Sequence, residues 1–476
     1  MNAKASSESG QIMVLLALAF VGLLGFAALA IDTGMVYTDR RNDQNAADAA
    51  ALAGMQQTMQ IVKSVTIANF QCDTSGNWVT STSTGWGSRT APAWLTQSVL
   101  NATFQKAITT AQKNGIVLEV GLANKNGVAF RCGKDNNVSF LELRVEVSST
   151  PKTSFVHFFY GGKVRNTVEA VSYGKPTQPY AAGYAMYSMD PSCSAGGIDM
   201  NGGGKADPNV RIIGAGAFSR SCMESSGHGS IFSDTTNTCL DNPAHPGWCN
   251  TQDPNFTPTI NRIYTDPFIG MIDEPNCNDR TIAPARTYSG PEMEPGYYGP
   301  SNFGGSNSTK IDGHDNYKLK PGLYCFDIGP SSNARLALNG GGSIVSIAGN
   351  GYLEGVTIVM VSGSLDASGG GGMNLKASLP NQTGYAPNIV PGLVLMAASS
   401  SRNSDLVTGG NSGTDLLGTV YFPKGKIDLG GNASQNGALS TQFIALTFRH
   451  HGTATSVVNY NSEYLVQAKP SISLRK

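Results

Sequence analysis

The longest pattern in the chain is an unbroken apolar run. Residues Ile12 to Ile31 carry no charge, 20 residues in all. As a helix rising ~1.5 Å per residue, that run spans about 30 Å, the thickness of a bilayer hydrocarbon core. Lys4 precedes it and Asp32 follows at once. Ala28-Leu29-Ala30 has the small-x-small form of a signal cleavage site, so a cleaved leader competes with a retained anchor. The run outlasts the ~7–15 residues of a signal h-region, and helix formers continue beyond Asp32. A retained transmembrane anchor is therefore expected, with the body of the chain outside the cytoplasm. Arg40 and Arg41 on the far side make the charge signal for orientation weak.

Past the run, Gln44 to Gly54 is rich in Ala, the strongest helix former. One helix over residues 11–57 is predicted, half in lipid and half outside. Ala46, Ala50 and Gly54 recur every four residues, a small-residue stripe that admits close approach. Packing within the same domain is expected, in preference to a dimer seam. Residues 60–100 show no clear period. Phe104, Ala107, Ile108 and Ala111 share one face of a helix over 101–114, with Asn114-Gly115 as its stop. Strand patterns follow at Ile116–Leu122, Val128–Cys132, Phe140–Val147 and Val164–Tyr173. In the third, Leu141, Leu143, Val145 and Val147 alternate with Phe140, Glu142, Arg144 and Glu146. Residues 58–176 thus form a small α+β domain behind the anchor region 1–57.

After Lys175-Pro176 the texture changes. Gly and Asn cluster in short phrases, such as Asn201-Gly-Gly-Gly, Asn339-Gly-Gly-Gly and Gly430-Gly-Asn. Between them lie short apolar runs, among them Val356–Val361, Gly392–Ala397, Leu417–Phe422 and Phe443–Phe448. Short strands closed by residues that tolerate positive φ, at near-repeating spacing, predict a right-handed parallel β-helix over 181–460. Ile344, Ile358, Val394, Val420 and Ile444 are its candidate interior. A β-sandwich would use the same strand lengths and is the alternative. Eight Pro between Pro254 and Pro300 mark residues 251–300 as an excursion across the surface, held by Cys277. Residues 461–476 read as a tail. The fold class is mainly β with an N-terminal transmembrane helix.

Composition narrows the function. Lys+Arg is 33 and Asp+Glu is 33, so the net charge is zero and a nucleic-acid partner is not expected. Charged residues are 14%, against ~25% in ordinary soluble domains. The eight cysteines, Cys72, Cys132, Cys193, Cys222, Cys239, Cys249, Cys277 and Cys325, all follow the apolar run and include no Cys-x-x-Cys. In an exported chain they read as disulfides. Neighbour pairing (72–132, 193–222, 239–249, 277–325) respects the domain limits above. Free buried thiols are the alternative.

Gly10-Gln11, the apolar run, Asp32-x-Gly34-x-x-Tyr37-x-x-Arg40 and Gln44-x-Ala46-Ala47-Asp48 through to Gly54 resemble the N-terminal region of TadG-like and TadE-like proteins. Those belong to the tight-adherence, or Flp, pilus assembly systems of bacteria. One departure is Asp43, where the resemblance expects Leu. Farther on, Asp266-Pro267-Phe268 to Pro275-x-Cys277, Pro321-Gly322-Leu323-Tyr324-Cys325, Gly418-Thr419-Val420-Tyr421-x-Pro423 and Ile427-x-Leu429-x-Gly431-Asn432 look like the β-helix tail of many TadG-like proteins. The resemblance implies a membrane-anchored envelope protein with protein partners in pilus assembly or adherence. A surface glycan-binding or glycan-cleaving β-helix using the same anchor is the alternative.

Other chemistry is weaker. Asp366-x-Ser368 after an apolar strand suggests a von Willebrand A metal site, but Gly370 stands where a third oxygen ligand belongs. Asp366, Asp405, Asp415 and Asp428 form no tight carboxylate pair on one strand, and Glu354 stands alone. His450-His451 is expected on an exposed polar edge. A zinc site from His228, His245 and the nearby cysteines matches no common spacing. No catalytic, cofactor or metal residue is assigned.

Overall fold

The computed structural model describes residues 9–62, 72, 78, 96–120, 126–135, 138–155, 163–176, 178–202, 210–227, 229–240, 249–250, 260–263, 270–300, 310–312, 316–329, 331, 334–339, 341–380, 382–401, 404–409, 413–431, 439–452, 455–468 and 470–475. The chain is mainly β with one long apolar N-terminal helix. It divides into two compact units, residues 1–176 with 470–476, and residues 177–469.

In the first unit, α1 (Ser9–Val62) runs unbroken for 54 residues. Its polar half shares a core with α2 (Gln97–Lys113) and one face of a sheet. Thr96 caps α2, its hydroxyl accepting from the Val99 N–H at 3.4 Å, and Gly115 leaves at φ 80°. The sheet orders β1 (Glu119–Val120), β2 (Gly127–Asp135), β3 (Val138–Ser149), β4 (Asn166–Lys175) and then a C-terminal strand, Ser471–Arg475. Of the expected Ile116–Leu122 strand only Glu119–Val120 pairs, and 121–125 lie outside the described residues. Leu141, Leu143, Val145 and Val147 are buried in the core with Phe104, Phe130, Ala47 and Met55. Gly54 is buried there too, and a Cβ on it would run into the Leu143 side chain. The small-residue stripe therefore packs within its own unit, at a contact only small side chains permit.

The stretch expected as a tail behaves differently. Ser471 lies opposite Lys175 and Arg475 opposite Val171, antiparallel, so the chain's last strand closes the first unit's sheet. The alternation Ser-Ile-Ser-Leu-Arg fits a strand, but its partner is nearly the whole second unit away in sequence. The 177–469 unit is thus an insertion between two neighbouring strands. Inside that unit, Gln178–Pro179 pairs with Gln467–Ala468, so entry and exit run side by side.

The second unit is a ladder of parallel strands in which most strands pair with the third one after. Asn316–Leu319 lies beside Ser343–Ser346, Gly322–Asp327 beside Val356–Ser362, and Arg335–Asn339 beside Ser364–Gly369. Residues facing the core succeed one another in register: Tyr324, Ile358, Leu395, Val420, Phe443, Met186, Ala217. That order departs from chain order. Strand Leu439–Gly452 sits between Thr414–Gly431 and the early strands Met186–Ser188 and Ile198–Gly202. The first strands of the unit therefore lie mid-stack, and the chain reaches the far end before winding back. Strand ends carry aligned glycines, Gly431, Gly452, Gly202 and Gly227.

A second core lies on the outer side of one set of strands. Phe218, Tyr187, Ile444, Tyr421, Met396, Val359, Cys325 and Tyr297 are successive partners across eight strands. A strap from residues 270–291 packs over them with Ile272, Cys277 and Ala283. The Tyr421 hydroxyl donates to Met271 Sδ at 3.0 Å, and the Ser399 N–H donates to Glu274 Oε2 at 2.8 Å. At one end the Tyr297 N–H donates to the Pro284 carbonyl at 2.9 Å. Burial pushes the Tyr421 hydroxyl pKa well above its ordinary range. The interior assignment of Ile344, Ile358, Val394 and Val420 agrees with the inner cluster, whereas Ile444 belongs to the outer one. Its neighbours Phe443 and Ala445 point inward, and a one-residue shift in a strand exchanges faces.

Four disulfides join Cys72–Cys132, Cys193–Cys222, Cys239–Cys249 and Cys277–Cys325, with Cα separations of 5.3, 5.3, 5.9 and 5.8 Å. The last fastens the strap to the outer ladder.

Candidate functional site

The N-terminal helix concentrates the informative residues. Its apolar stretch has no buried residue across the most hydrophobic window, which makes it a candidate membrane span. Beyond Ile31 the polar residues sort into two sets. Gly10 and Gln11 lie within α1, and nothing is described of their side chains.

The first set folds the unit. Asp32 is buried, and its carboxylate accepts the Ser154 N–H at 2.6 Å and the Phe155 N–H at 2.8 Å. Gln44 donates through Nε2 to Asp48 Oδ1 at 2.8 Å and to the Glu169 carbonyl at 3.2 Å, binding the helix to β4. Ala46 and Ala47 are buried, and Gly54 makes the close approach described above. Asp43, the departure from the expected Leu, is buried and accepts from the Ser149 hydroxyl. That hydroxyl also lies 2.9 Å from Asp39 Oδ2. Burial raises the Asp43 pKa, the Ser149 hydrogen bond opposes this, and the Asp39 charge adds to the rise. A hydroxyl on β3 thus answers the odd carboxyl on α1.

The second set faces away. Tyr37 is 69% exposed, Arg40 and Arg41 are exposed, and Gly34 has nothing near the place a Cβ would occupy. Gly34, Tyr37 and Arg41 fall three and four residues apart, on one helix face, with Arg40 beside Tyr37. This face is exposed.

The other sequence candidates are engaged otherwise. The Asp366 carboxylate takes Arg335 Nη1 at 3.0 Å and the Ser368 hydroxyl at 2.6 Å, a turn rather than an open ligand set. Glu354 pairs with Lys376 at 3.2 Å, and Asp405 accepts the Lys426 N–H at 2.7 Å. Asp428 holds His451 Nδ1 at 2.7 Å and Lys426 at 3.4 Å. His450 is not on an exposed edge. It is fully buried in register with Leu429 of the inner core, while His451 is exposed. His228 and His245 lie outside the described residues. Among the described residues Cys193, Cys222 and Glu224 bring ligand-type atoms together, but the two sulfurs are joined to each other.

Sequence reasoning missed one alignment and one pair. Asp366, Val407, Asp428, Arg449, Asp199 and Glu224 succeed one another across neighbouring strands, a row visible only once the register is known. Glu142, almost wholly buried, is held by Arg131 and by Arg475 at 2.7 Å, and Arg475 also lies 4.1 Å from the Tyr173 ring. The alternation of β3 placed Glu142 off the helix face but gave no sign of Arg475.

The arrangement defines a mainly β body behind an apolar N-terminal helix whose polar half is built into a folded unit. Residues 10–57 match the family model Tad, described as Flp pilus-assembly TadE/G-like. The chain therefore carries a TadE/G-like region of the Flp pilus-assembly family at its N-terminus. No curated protein and no solved structure matches the chain.

Proposed function

We propose that this protein is a single-pass envelope protein with a structural and interaction role in Flp-type, tight-adherence pilus assembly or surface adherence, without catalysis. Its 177–469 body is a right-handed parallel β-helix held outside the cytoplasm. The observation that carries the reading is the division of labour within the TadE/G-like region. Asp32, Gln44, Ala46, Ala47 and Gly54 are consumed in folding, while Gly34, Tyr37 and Arg40 remain exposed. Four disulfides support an oxidising compartment for the body. Parallel pairing with the third following strand supports the β-helix, and parallel crossovers are right-handed in about 98% of cases. Among the described residues the aromatic outer row lies under the strap, while the charged row from Asp366 to Glu224 runs along a different set of strand segments, which supports a structural role over a glycan cleft.

Deletion of the gene, with complementation by variant alleles, tests the role. Wild type is expected to restore pili and surface attachment. Tyr37→Ala combined with Arg40→Glu is expected to reach the membrane at normal level without restoring them. Normal piliation in the deletion strain would overturn the proposal.

A further inference from the structure

The Asp32 contact does more than steady a loop. Asp32 is the residue that follows the apolar run, about 1.5 Å beyond Ile31 along the helix axis. Its carboxylate holds two successive backbone N–H groups, those of Ser154 and Phe155, at 2.6 and 2.8 Å. The Ser154 hydroxyl lies 3.7 Å from Met35 Sδ. The loop is thus pinned to the helix at the level where the apolar run ends. Phe155 is 40% exposed there, and Lys152 is exposed beside it. A groove of about 690 Å³ opens between the helix and this loop, walled by Ile31, Gly34, Met35, Thr38, Thr150 and Lys152. An aromatic side chain at the boundary with a cation just behind it is the chemistry of a membrane interface, where rings sit at headgroup depth and basic groups meet lipid phosphates.

We infer that the loop Lys152–Phe155 is a second membrane contact, with Phe155 seated at the lipid boundary and Asp32 as the residue that positions it. The inference rests on the reading that Ile12–Ile31 crosses the bilayer. It fixes how far the first unit stands from the membrane: the loop that leaves the end of β3 lies on the lipid surface rather than at the end of a free stalk.

Photo-crosslinking of the full chain in vesicles of phosphatidylethanolamine and phosphatidylglycerol tests it. A diazirine-bearing phenylalanine analogue is placed at position 24, 155 or 60 in turn. Position 60 is exposed and about 42 Å beyond Asp32 along the helix. Lipid adducts are expected at 24 and 155 and not at 60. Adducts at 24 without any at 155, or crosslinks from 155 only to a second copy of the protein, would overturn the inference and leave the anchor standing. No adduct at 24 would remove the anchor reading and this inference with it. Asp32→Asn keeps the side-chain size, and it is expected to lower labelling at 155 several-fold with labelling at 24 unchanged. Unchanged labelling at 155 in that variant would overturn the role given to Asp32.

Discussion

The two units bury their strands in opposite ways, and the contrast explains which residues were legible. In the first unit, among the described residues, a mostly antiparallel sheet packs its helices on one face. Its strands alternate, and Leu141, Leu143, Val145 and Val147 could be placed from the pattern alone. In the second unit the strands under the strap have a core on each side. Gly322–Asp327 and Leu393–Ala397 are buried almost end to end. A strand buried on both faces loses its alternation, and with it the cue to which side chain points inward.

The largest effect should come from testing the inner row against the outer one. Phe443 and Ile444 are adjacent and both buried, but only Phe443 faces the inner core. Phe443→Asp should bury an unpaired charge, at a cost of several kcal/mol, and abolish cooperative melting of the 177–469 unit. Ile444→Asp should instead lift the strap and leave the strand ladder intact by circular dichroism. Equal collapse of both variants would erase the distinction between the two cores.

The disulfide on the strap offers the next test. Replacing Cys277 and Cys325 together by Ser opens a loop whose ends are 48 residues apart. The chain-entropy model assigns such a loop about 4 kcal/mol, against about 2.7 kcal/mol for Cys239–Cys249 with a separation of 10. Limited proteolysis should then cut within 270–291 before anything else in the second unit. A strap that stays protected without the disulfide would mean that the apolar row alone holds it.

What remained hidden from the sequence has a common physical cause. Helices depend on neighbours three and four residues away, so α1 was expected over 11–57 and extends over Ser9–Val62. The fold of the second unit depends on which strand lies on which, and that is decided by contacts well beyond the reach of local spacing, hundreds of residues apart where Leu439–Gly452 meets the early strands. The mid-stack position of Met186–Ser188, the burial of His450 and the partner of Ser471–Arg475 are all of this kind. The candidate site divides likewise. Its residues were found from local spacing, but the separation of Asp32 and Gln44 from Tyr37 and Arg40 needed Ser154 and Glu169, far along the chain.

A smaller effect sharpens the claim that the last strand belongs to the first unit. Arg475→Ala removes a guanidinium from buried Glu142 and from the Tyr173 ring, while Arg131 still pairs with Glu142. A loss of about 1–3 kcal/mol is expected in the unfolding of the first unit, with none in the second. Denaturant melts followed by hydrogen exchange resolve the two. A loss confined to residues 177–469 would contradict the placement of the C-terminal strand.

The smallest expected change concerns Asp43, and its sign is fixed. Its folded pKa lies above the ordinary carboxylate value because burial disfavours the charge, and Asp39 adds to that. The folded first unit therefore binds this proton more tightly than the unfolded chain does. The stabilisation is fully present below the unfolded pKa near 3.8 and is lost as pH rises through the higher folded value. With one hydroxyl proton at Ser149 between two carboxyls, a protonated Asp43 completes the chain of hydrogen bonds from Asp43 through Ser149 to Asp39. Asp43→Asn replaces the acid by a neutral donor of the same shape. The variant should melt slightly higher than wild type at pH 7, and the difference should vanish or reverse at pH 3.5. Thermal melts of the two proteins across that range are the measurement. A wild type more stable than Asp43→Asn at neutral pH would show that the ionised carboxylate, not the protonated one, is what the first unit was built around.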